Sequence, residues 1–371
     1  MKNKKHLSRL FVALALSGAT SFSLAADTIK IAFAGPATGP LTQYGDMQFN
    51  GSKMAVEQIN KAGGVDGKQL EGIVYDDACD PKQAVAVANK VVNNEIKFVI
   101  GHFCSSATQP AADVYNDEGI LMITPSSTNP AITERGYKLV FRTIGLDSDQ
   151  GPTAANFIAD HVKPKNVAII HDKQQYGEGL ATAVKQTLEK RGVKVGMFTA
   201  INPGDKDFSS LIAQLKKENP DIVYFGGYHP ELGLLLRQSR ERGLNVQFMG
   251  PEGTGNTALS AIAGAASEGL YVTLPPPYDQ DPRNKTLADA FKAANRDPSG
   301  PFVFTAYAAV QALAQAIGKV GEDPEEVAEY LHQNSFDTPI GKLAFDAKGD
   351  PKDFKFVVYT WHQDGSKTEI K

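Results

Sequence analysis

Ser105, Ser106, Ser126, Thr128 and Glu252 are the residues whose types and places in the sequence suit a small zwitterion. A carboxylate is held well by N–H and O–H donors without a full cation, and the N-terminus of a helix opening near Ser105 offers both. An ammonium needs an anion and carbonyl oxygens, and Glu252 supplies the anion. Tyr44, Tyr176 and Tyr228, with apolar bodies and polar tips, complete a wall that implies an apolar ligand side chain of modest size. Each residue also has a plainer reading. Ser105 and Ser106 suit a helix cap, Thr128 a turn, and Glu252 the solvated surface where most glutamates lie.

Other chemistries find no footing in the sequence. There is no G-x-S-x-G, H-E-x-x-H, Walker loop, or G-x-G-x-x-G after the first strand. The histidines at 102, 161, 171, 229, 332 and 362 lack metal-ligand spacing. His102 and His229 occupy comparable loops, and loop polarity accounts for them more simply than a bridging metal. No catalytic residue, metal or cofactor is expected.

These residues matter because of the elements that must present them. Apolar runs at Ile29–Ala34, Ile73–Tyr75, Phe98–Ile100 and Leu121–Ile123 alternate with helical patterns, such as that from Asp46 to Ala62. This alternation predicts parallel sheets covered on both faces. The pattern restarts at Val167–Ile170 and continues through Ile222–Phe225 and Val246–Met249. Gln43-Tyr44-Gly45-Asp46 is echoed by Gln175-Tyr176-Gly177-Glu178, and Phe98-Val99-Ile100-Gly101 by Val223-Tyr224-Phe225-Gly226. Two similar α/β lobes about a pseudo-two-fold axis follow. In such sheets ligands bind beyond the carboxyl ends of the strands, which selects the loops after Gly101, Thr124, Phe225 and Met249. Crossings between lobes are expected at Leu146–Gln150, at Pro275-Pro276-Pro277 and near Gly349–Pro351.

Lys2, Lys4, Lys5 and Arg9 precede an apolar stretch, Leu10–Leu16, and Ser23-Leu24-Ala25 offers a small-x-small cleavage site. The pattern is that of a signal peptide over 1–25. The apolar stretch is too short to span a bilayer. Removing four cations makes the formal net charge of −4 four units more negative. An acidic protein without basic clusters is a poor partner for nucleic acid or an anionic membrane surface. Cys79 and Cys104 are the only cysteines. In an exported chain such a pair reads as a disulfide, which competes with a reading of Cys104 as a nucleophile near His102.

The runs Tyr75-Asp76-Asp77-Ala78-Cys79-Asp80-Pro81-Lys82-Gln83, Cys104-Ser105-Ser106 with Gln109-Pro110, Gly145-Leu146-Asp147-Ser148-Asp149-Gln150-Gly151-Pro152 and His171-Asp172-Lys173-Gln174-Gln175-Tyr176-Gly177-Glu178-Gly179 carry a specific likeness. From Ile29 to Trp361 the chain resembles the leucine/isoleucine/valine-binding proteins of branched-chain amino-acid ABC transport. The resemblance implies a type I periplasmic binding protein fold, two Rossmann-like lobes joined by a three-segment hinge, and a Cys79–Cys104 disulfide. It implies lobe 1 at 27–146 plus about 276–352, and lobe 2 at 147–275 plus about 353–371. Ser105 and Thr128 would hold the ligand carboxylate. Glu252 and the carbonyl of Ser126 would hold the ammonium, and Tyr44, Tyr176, Tyr228 and Phe302 would line the side-chain pocket. Ser126 departs from the family, which tends to carry Ala there, and its hydroxyl is a candidate to shift selectivity. A periplasmic monomer is implied, binding an L-amino acid and docking transiently on an inner-membrane ABC permease.

Overall fold

The structure, a computed structural model, describes residues 28–371; the expected signal peptide lies outside the described residues. The chain first runs β1 (Thr28–Gly35), α1 (Thr42–Lys61), β2 (Gln69–Asp76), α2 (Pro81–Asn93), β3 (Phe98–Ile100), α3 (Ser105–Asp117), β4 (Leu121–Thr124) and β5 (Val140–Arg142). It then runs α4 (Asp147–Phe157), β6 (Val167–His171), α5 (Gln175–Lys190), β7 (Val195–Ala200), α6 (Ser209–Glu218), β8 (Ile222–Gly226), α7 (His229–Glu241), β9 (Gln247–Gly250), α8 (Thr257–Ala263) and β10 (Leu270–Leu274). The return comprises α9 (Lys285–Ala293), α10 (Val303–Val320), α11 (Pro324–Gln333), β11 (Ser335–Thr338), β12 (Gly341–Ala344), β13 (Val357–Trp361) and β14 (Lys367–Glu369).

Of the two large sheets one has the order β2-β1-β3-β4-β5 and the other β14-β13-β10-β9-β8-β6-β7, and β11 and β12 pair as a separate two-stranded sheet. Strands β6 to β10 therefore repeat the order of β1 to β5, with β13 and β14 added antiparallel beside β10. Burial follows position in the sheet. The interior strands β3, β4 and β8 are buried at every residue, whereas edge strands β2 and β7 keep exposed positions. That is the signature of parallel sheets covered on both faces.

Three segments pass between the sheets: from β5 to α4, from β10 toward α9 through the Pro275–Pro277 run, and from β12 to β13. One apolar core packs α1, α10 and α11 on the first sheet, and another packs β8, β9, α7 and α8 in the second lobe. A third runs unbroken between lobes, joining Tyr44, Cys104 and Phe103 to Tyr176, Leu180 and Tyr228. The lobes are closed on one another.

The helices begin earlier than the sequence pattern suggests. The Tyr-Gly echoes lie in the first turns of α1 and α5. Their glycines have a steric reason. A Cβ on Gly45 would lie 2.0 Å from the Pro36 carbonyl oxygen, and one on Gly177 would lie 2.6 Å from the Gly226 carbonyl oxygen. Only glycine lets each helix settle onto the strand-end backbone, and that seating points the preceding tyrosine into the cleft. Similarly, α3 starts at Ser105 itself and α7 at His229.

Candidate functional site

The first lobe presents its part of the site on two strand-end loops. Ser105 is the first residue of α3, buried, where amides of the first turn lack intrahelical acceptors. Its Oγ accepts a long 3.4 Å bond from the Asn129 N–H. Three hydroxyls lock the loop ahead of it: Thr124 donates to the His102 carbonyl at 2.8 Å, and Ser127 and Ser126 donate to the Phe103 carbonyl at 2.8 and 3.2 Å. The Ser126 hydroxyl is thus engaged within its own lobe, which accounts for how a serine is accommodated at that position. Thr128 is fully buried, and its Oγ1 has no hydrogen-bond partner of full geometry among protein groups.

Two devices fix these loops from behind. The Cys79–Cys104 disulfide, with Cα atoms 5.4 Å apart, joins the segment before α2 to the N-cap of α3. Arg142, fully buried, donates to the Ser127 carbonyl at 2.7 Å, the Asn129 carbonyl at 3.1 Å and Asp350 at 2.6 Å. His102 is not a ligand-facing loop residue: its Nδ1 lies 2.5 Å from Asp77 and its Nε2 3.0 Å from the Tyr115 hydroxyl, inside the lobe. With Cys104 bonded to Cys79, the nucleophile reading is overturned.

The second lobe supplies the charge. Glu252 follows β9, is 1% exposed, and its Oε2 has no hydrogen-bond partner of full geometry. Burial pushes its pKa up to about 8, and the nearby Asp147 adds to the rise, while the Gln150 amide and the Tyr176 phenol oppose it. A carboxyl held so far from its ordinary range requires a cationic or donor partner before it ionises comfortably. The Tyr176 hydroxyl accepts from the Gly253 N–H at 3.0 Å. From across the cleft, the Tyr44 hydroxyl donates to the Gly253 carbonyl at 2.6 Å. The turn that carries Glu252 is therefore gripped by one tyrosine from each lobe.

Rings line the space between. Tyr44 stacks on Phe103 at 5.2 Å and meets Phe302 edge-on at 5.7 Å, and Tyr176 lies 5.1 Å from Tyr228. His229, on the second lobe, packs its ring 5.3 Å from Tyr44 and bonds Asn256 at 3.0 Å. Burial pushes its pKa down to about 4, so it is neutral at pH 7 and serves as a wall residue. At the rim, Asn129 donates to the Gln175 carbonyl at 3.0 Å, and the Gln175 amide reaches Gln109.

The structure brings Ser105, Ser126, Thr128, Glu252, Tyr44, Tyr176, Tyr228 and Phe302 to the closed cleft between the sheets. Phe103, His229, Asp147, Gln150 and Arg142 belong to the same neighbourhood but carry no sequence-derived role. Asp147 and Gln150 lie in the first crossing, whose polarity was the only signal available. Among the described residues, no group of three or more His, Cys, Asp or Glu is placed to hold a metal ion. A nonpolar wall, the buried Glu252 carboxyl with Asp147 near it, and a cluster of hydroxyls and amides can bind and orient a zwitterion.

Comparison with known proteins agrees with this description. Residues 28–366 match the family described as periplasmic binding protein. The chain is 64% identical over 371 residues to a leucine-, isoleucine-, valine-, threonine- and alanine-binding protein of Pseudomonas aeruginosa, covering 100% of both. It is 58% identical over 360 residues to a Leu/Ile/Val-binding protein of Escherichia coli, covering 97% of each. Among solved structures, a leucine-binding protein of Thermotoga maritima matches with a TM-score of 0.86 and 27% identity, over 92% of this chain and 98% of that one. A branched-chain amino-acid transporter substrate-binding protein of Streptococcus pneumoniae, solved with isoleucine, matches with a TM-score of 0.84 and 26% identity, over 93% and 100%.

Proposed function

The chain belongs to the periplasmic binding protein family, and from that premise we propose that it captures leucine, isoleucine or valine by hinge closure and delivers it to an inner-membrane ABC permease. The observation that carries the ligand class is the buried Glu252 carboxylate, with Oε2 unpartnered, across an aromatic wall from the first turn of α3. In this reading Ser105 and Thr128 receive the ligand carboxylate, and Glu252 with the Ser126 carbonyl receives the ammonium. Tyr44, Tyr176, Tyr228 and Phe302 surround the side chain. Lobe 1 comprises 27–146 and about 276–352, and lobe 2 comprises 147–275 and about 353–371. The first lobe binds, the second clamps, and the closed monomer is what the permease meets. No enzymatic role is proposed: the Thr124, Ser126 and Ser127 hydroxyls are spent on carbonyls of their own lobe.

Thermal melting of ligand-stripped protein against the twenty L-amino acids tests this. A ligand at about 100 times its dissociation constant adds roughly 2.7 kcal/mol, which raises the midpoint by several degrees. Shifts with Leu, Ile and Val are expected. A flat panel would refute the zwitterion site while leaving the fold standing.

A further inference from the structure

Gln150 is a buried polar side chain beside Glu252 to which the reading above gives no task. It lies in the first turn of α4 and is fully buried. Its Nε2 donates to the Thr273 hydroxyl oxygen at 2.9 Å. The sheet places Thr273 in turn. Strands β9 and β10 run parallel with Val272 opposite Gly250, so Thr273 comes to the sheet end beside Pro251 and the turn that carries Glu252. The next residue, Leu274, packs against that turn, since a Cβ on Gly255 would lie 2.4 Å from its Cδ2. The amide is thus delivered to the Glu252 carboxyl. Burial and the Asp147 charge raise the Glu252 pKa, and Gln150 is the foremost of the groups that draw it back. The orientation of the amide follows from its neighbours. Oε1 has no protein partner, and the Thr273 hydroxyl can either donate or accept, so it does not fix the amide alone. Turning the amide over would set Oε1 against the carboxylate, acceptor against acceptor.

We propose that Gln150 is a positioning residue of the ligand site: its amide nitrogen, anchored on the Thr273 hydroxyl, donates to the Glu252 carboxylate and holds it in line for the ligand. The inference rests on the amino-acid reading above and deepens it. In an open cleft water supplies a carboxylate with donors, but in a closed one only the protein does. Tyr176 is the second donor, because its oxygen accepts from the Gly253 N–H and its own hydrogen is left for Glu252. Both donors are neutral. They orient the carboxylate without cancelling its charge, which stays available to the incoming cation. Gln150, Thr273 and Glu252 all lie after the first crossing and before the second, so on the hinge reading they move as one piece and the carboxylate is set before the cleft closes.

Isothermal titration calorimetry with L-leucine on wild type, Q150M, T273V, E252Q and Q150M/E252Q tests the arrangement. Q150M keeps the length of the side chain and removes the amide, and it is expected to weaken binding about tenfold, the order of one hydrogen bond to a charged group. T273V releases the amide without removing it and is expected to cost about two- to fivefold. In the E252Q background Q150M is expected to cost less than about twofold, because the charge it steadies is gone. A second readout is the Glu252 carboxyl itself, followed by carbon-13 NMR of ligand-stripped protein and assigned through E252Q. Losing a donor to the charged form raises a carboxyl pKa, so the midpoint is expected to rise by about half a unit or more in Q150M. The ionisable groups that face Glu252, Asp147 with Tyr44, Tyr176, Tyr224 and Tyr228, are the same in both proteins. A packing role for Gln150 would lower affinity equally with and without Glu252 and leave the midpoint in place. Equal losses in the two backgrounds, an unmoved midpoint, a larger loss in T273V than in Q150M, or wild-type affinity in Q150M would each overturn the proposal. If wild-type protein gives no heat with leucine, the amino-acid reading itself fails; if leucine binds and the losses add, only the role of Gln150 fails.

Discussion

Tyr44 and Tyr176 occupy equivalent places in two sheets of the same strand order, each followed by a glycine that lets its helix rest on strand-end backbone. Their hydroxyls nevertheless do opposite things: Tyr44 donates across the cleft to the Gly253 carbonyl, and Tyr176 accepts from the Gly253 N–H within its own lobe. The surroundings diverge in the same sense. In the first lobe the ligand loops are fixed by a disulfide, by Arg142 and by hydroxyl-to-carbonyl bonds. In the second, the decisive group is a buried carboxyl whose charge is unfavourable until a cation meets it. Repeating the fold thus placed two loop sets face to face, and on the proposed reading sequence divergence made one a rigid receiver of negative charge and the other a clamp that responds to positive charge.

The sharpest way to break this comparison is to remove the charge from the clamp. Glu252→Gln is expected to cost about 3–5 kcal/mol of amino-acid binding, because a buried ammonium loses its counter-ion. Calorimetry giving near-wild-type affinity would take Glu252 out of that role. Next comes the rigid side. Replacing Cys79 and Cys104 together by Ala frees a loop spanning a sequence separation of 25 and is expected to lower unfolding stability by roughly 3.5 kcal/mol on the chain-entropy account. Denaturant unfolding measures that loss, and equal midpoints for the variant and wild type would deny the disulfide its part in holding the receiver.

A pH series sharpens the contrast further. In the closed chain Asp147 is pushed up to about 7 and Glu252 to about 8, both mainly by burial. In an open, hydrated cleft both are expected near the ordinary carboxylate value of about 4. Raised closed-state values mean that protonation favours closure. The benefit is full below about pH 4 and is lost as pH rises through 7 to 8, at up to about 1.4 kcal/mol per pH unit per group. Small-angle scattering of ligand-free protein should therefore show a more compact average at pH 5 than at pH 8.5, and identical radii would contradict it. The smallest effect is expected at the rim. Gln175→Ala removes the side-chain contact with Gln109 but leaves the backbone carbonyl that Asn129 uses. A gain in ligand off-rate of only about two- to fivefold is expected in stopped-flow, in keeping with the roughly 0.5–1 kcal/mol of a partly exposed hydrogen bond.

Much of the framework was legible in the sequence because it is written locally. Apolar runs, glycine stops and the repeated Tyr-Gly pairs lie within a few residues of the structures they specify. What escaped depends on distance along the chain. Arg142 reads as an ordinary surface cation until the fold brings Asp350 to it, 208 residues away. Asp147 reads as an acidic helix start, which it is, and only its burial in the folded chain makes its carboxyl a problem that needs a partner. His102 reads as the polarity of its loop, and nothing near it in sequence shows that Asp77 and Tyr115 enclose it. The pattern predicts the first helix from Asp46, whereas it starts at Thr42, because a tyrosine-glycine pair signals a loop locally and the close approach that demands the glycine is tertiary.

The order in which the two sheets are completed has a consequence for how the chain is made. Strands β1 to β5 are finished at Arg142, yet the apolar face bearing Phe33, Phe98 and Phe141 is covered by α10, α11 and Phe345, which come far later. The other sheet likewise waits for β13 and β14. At synthesis rates of about 5–20 residues per second, the first sheet stays uncovered for roughly ten to forty seconds. Neither sheet receives its last elements until the chain is nearly complete, so each lobe carries an uncovered apolar face through most of synthesis.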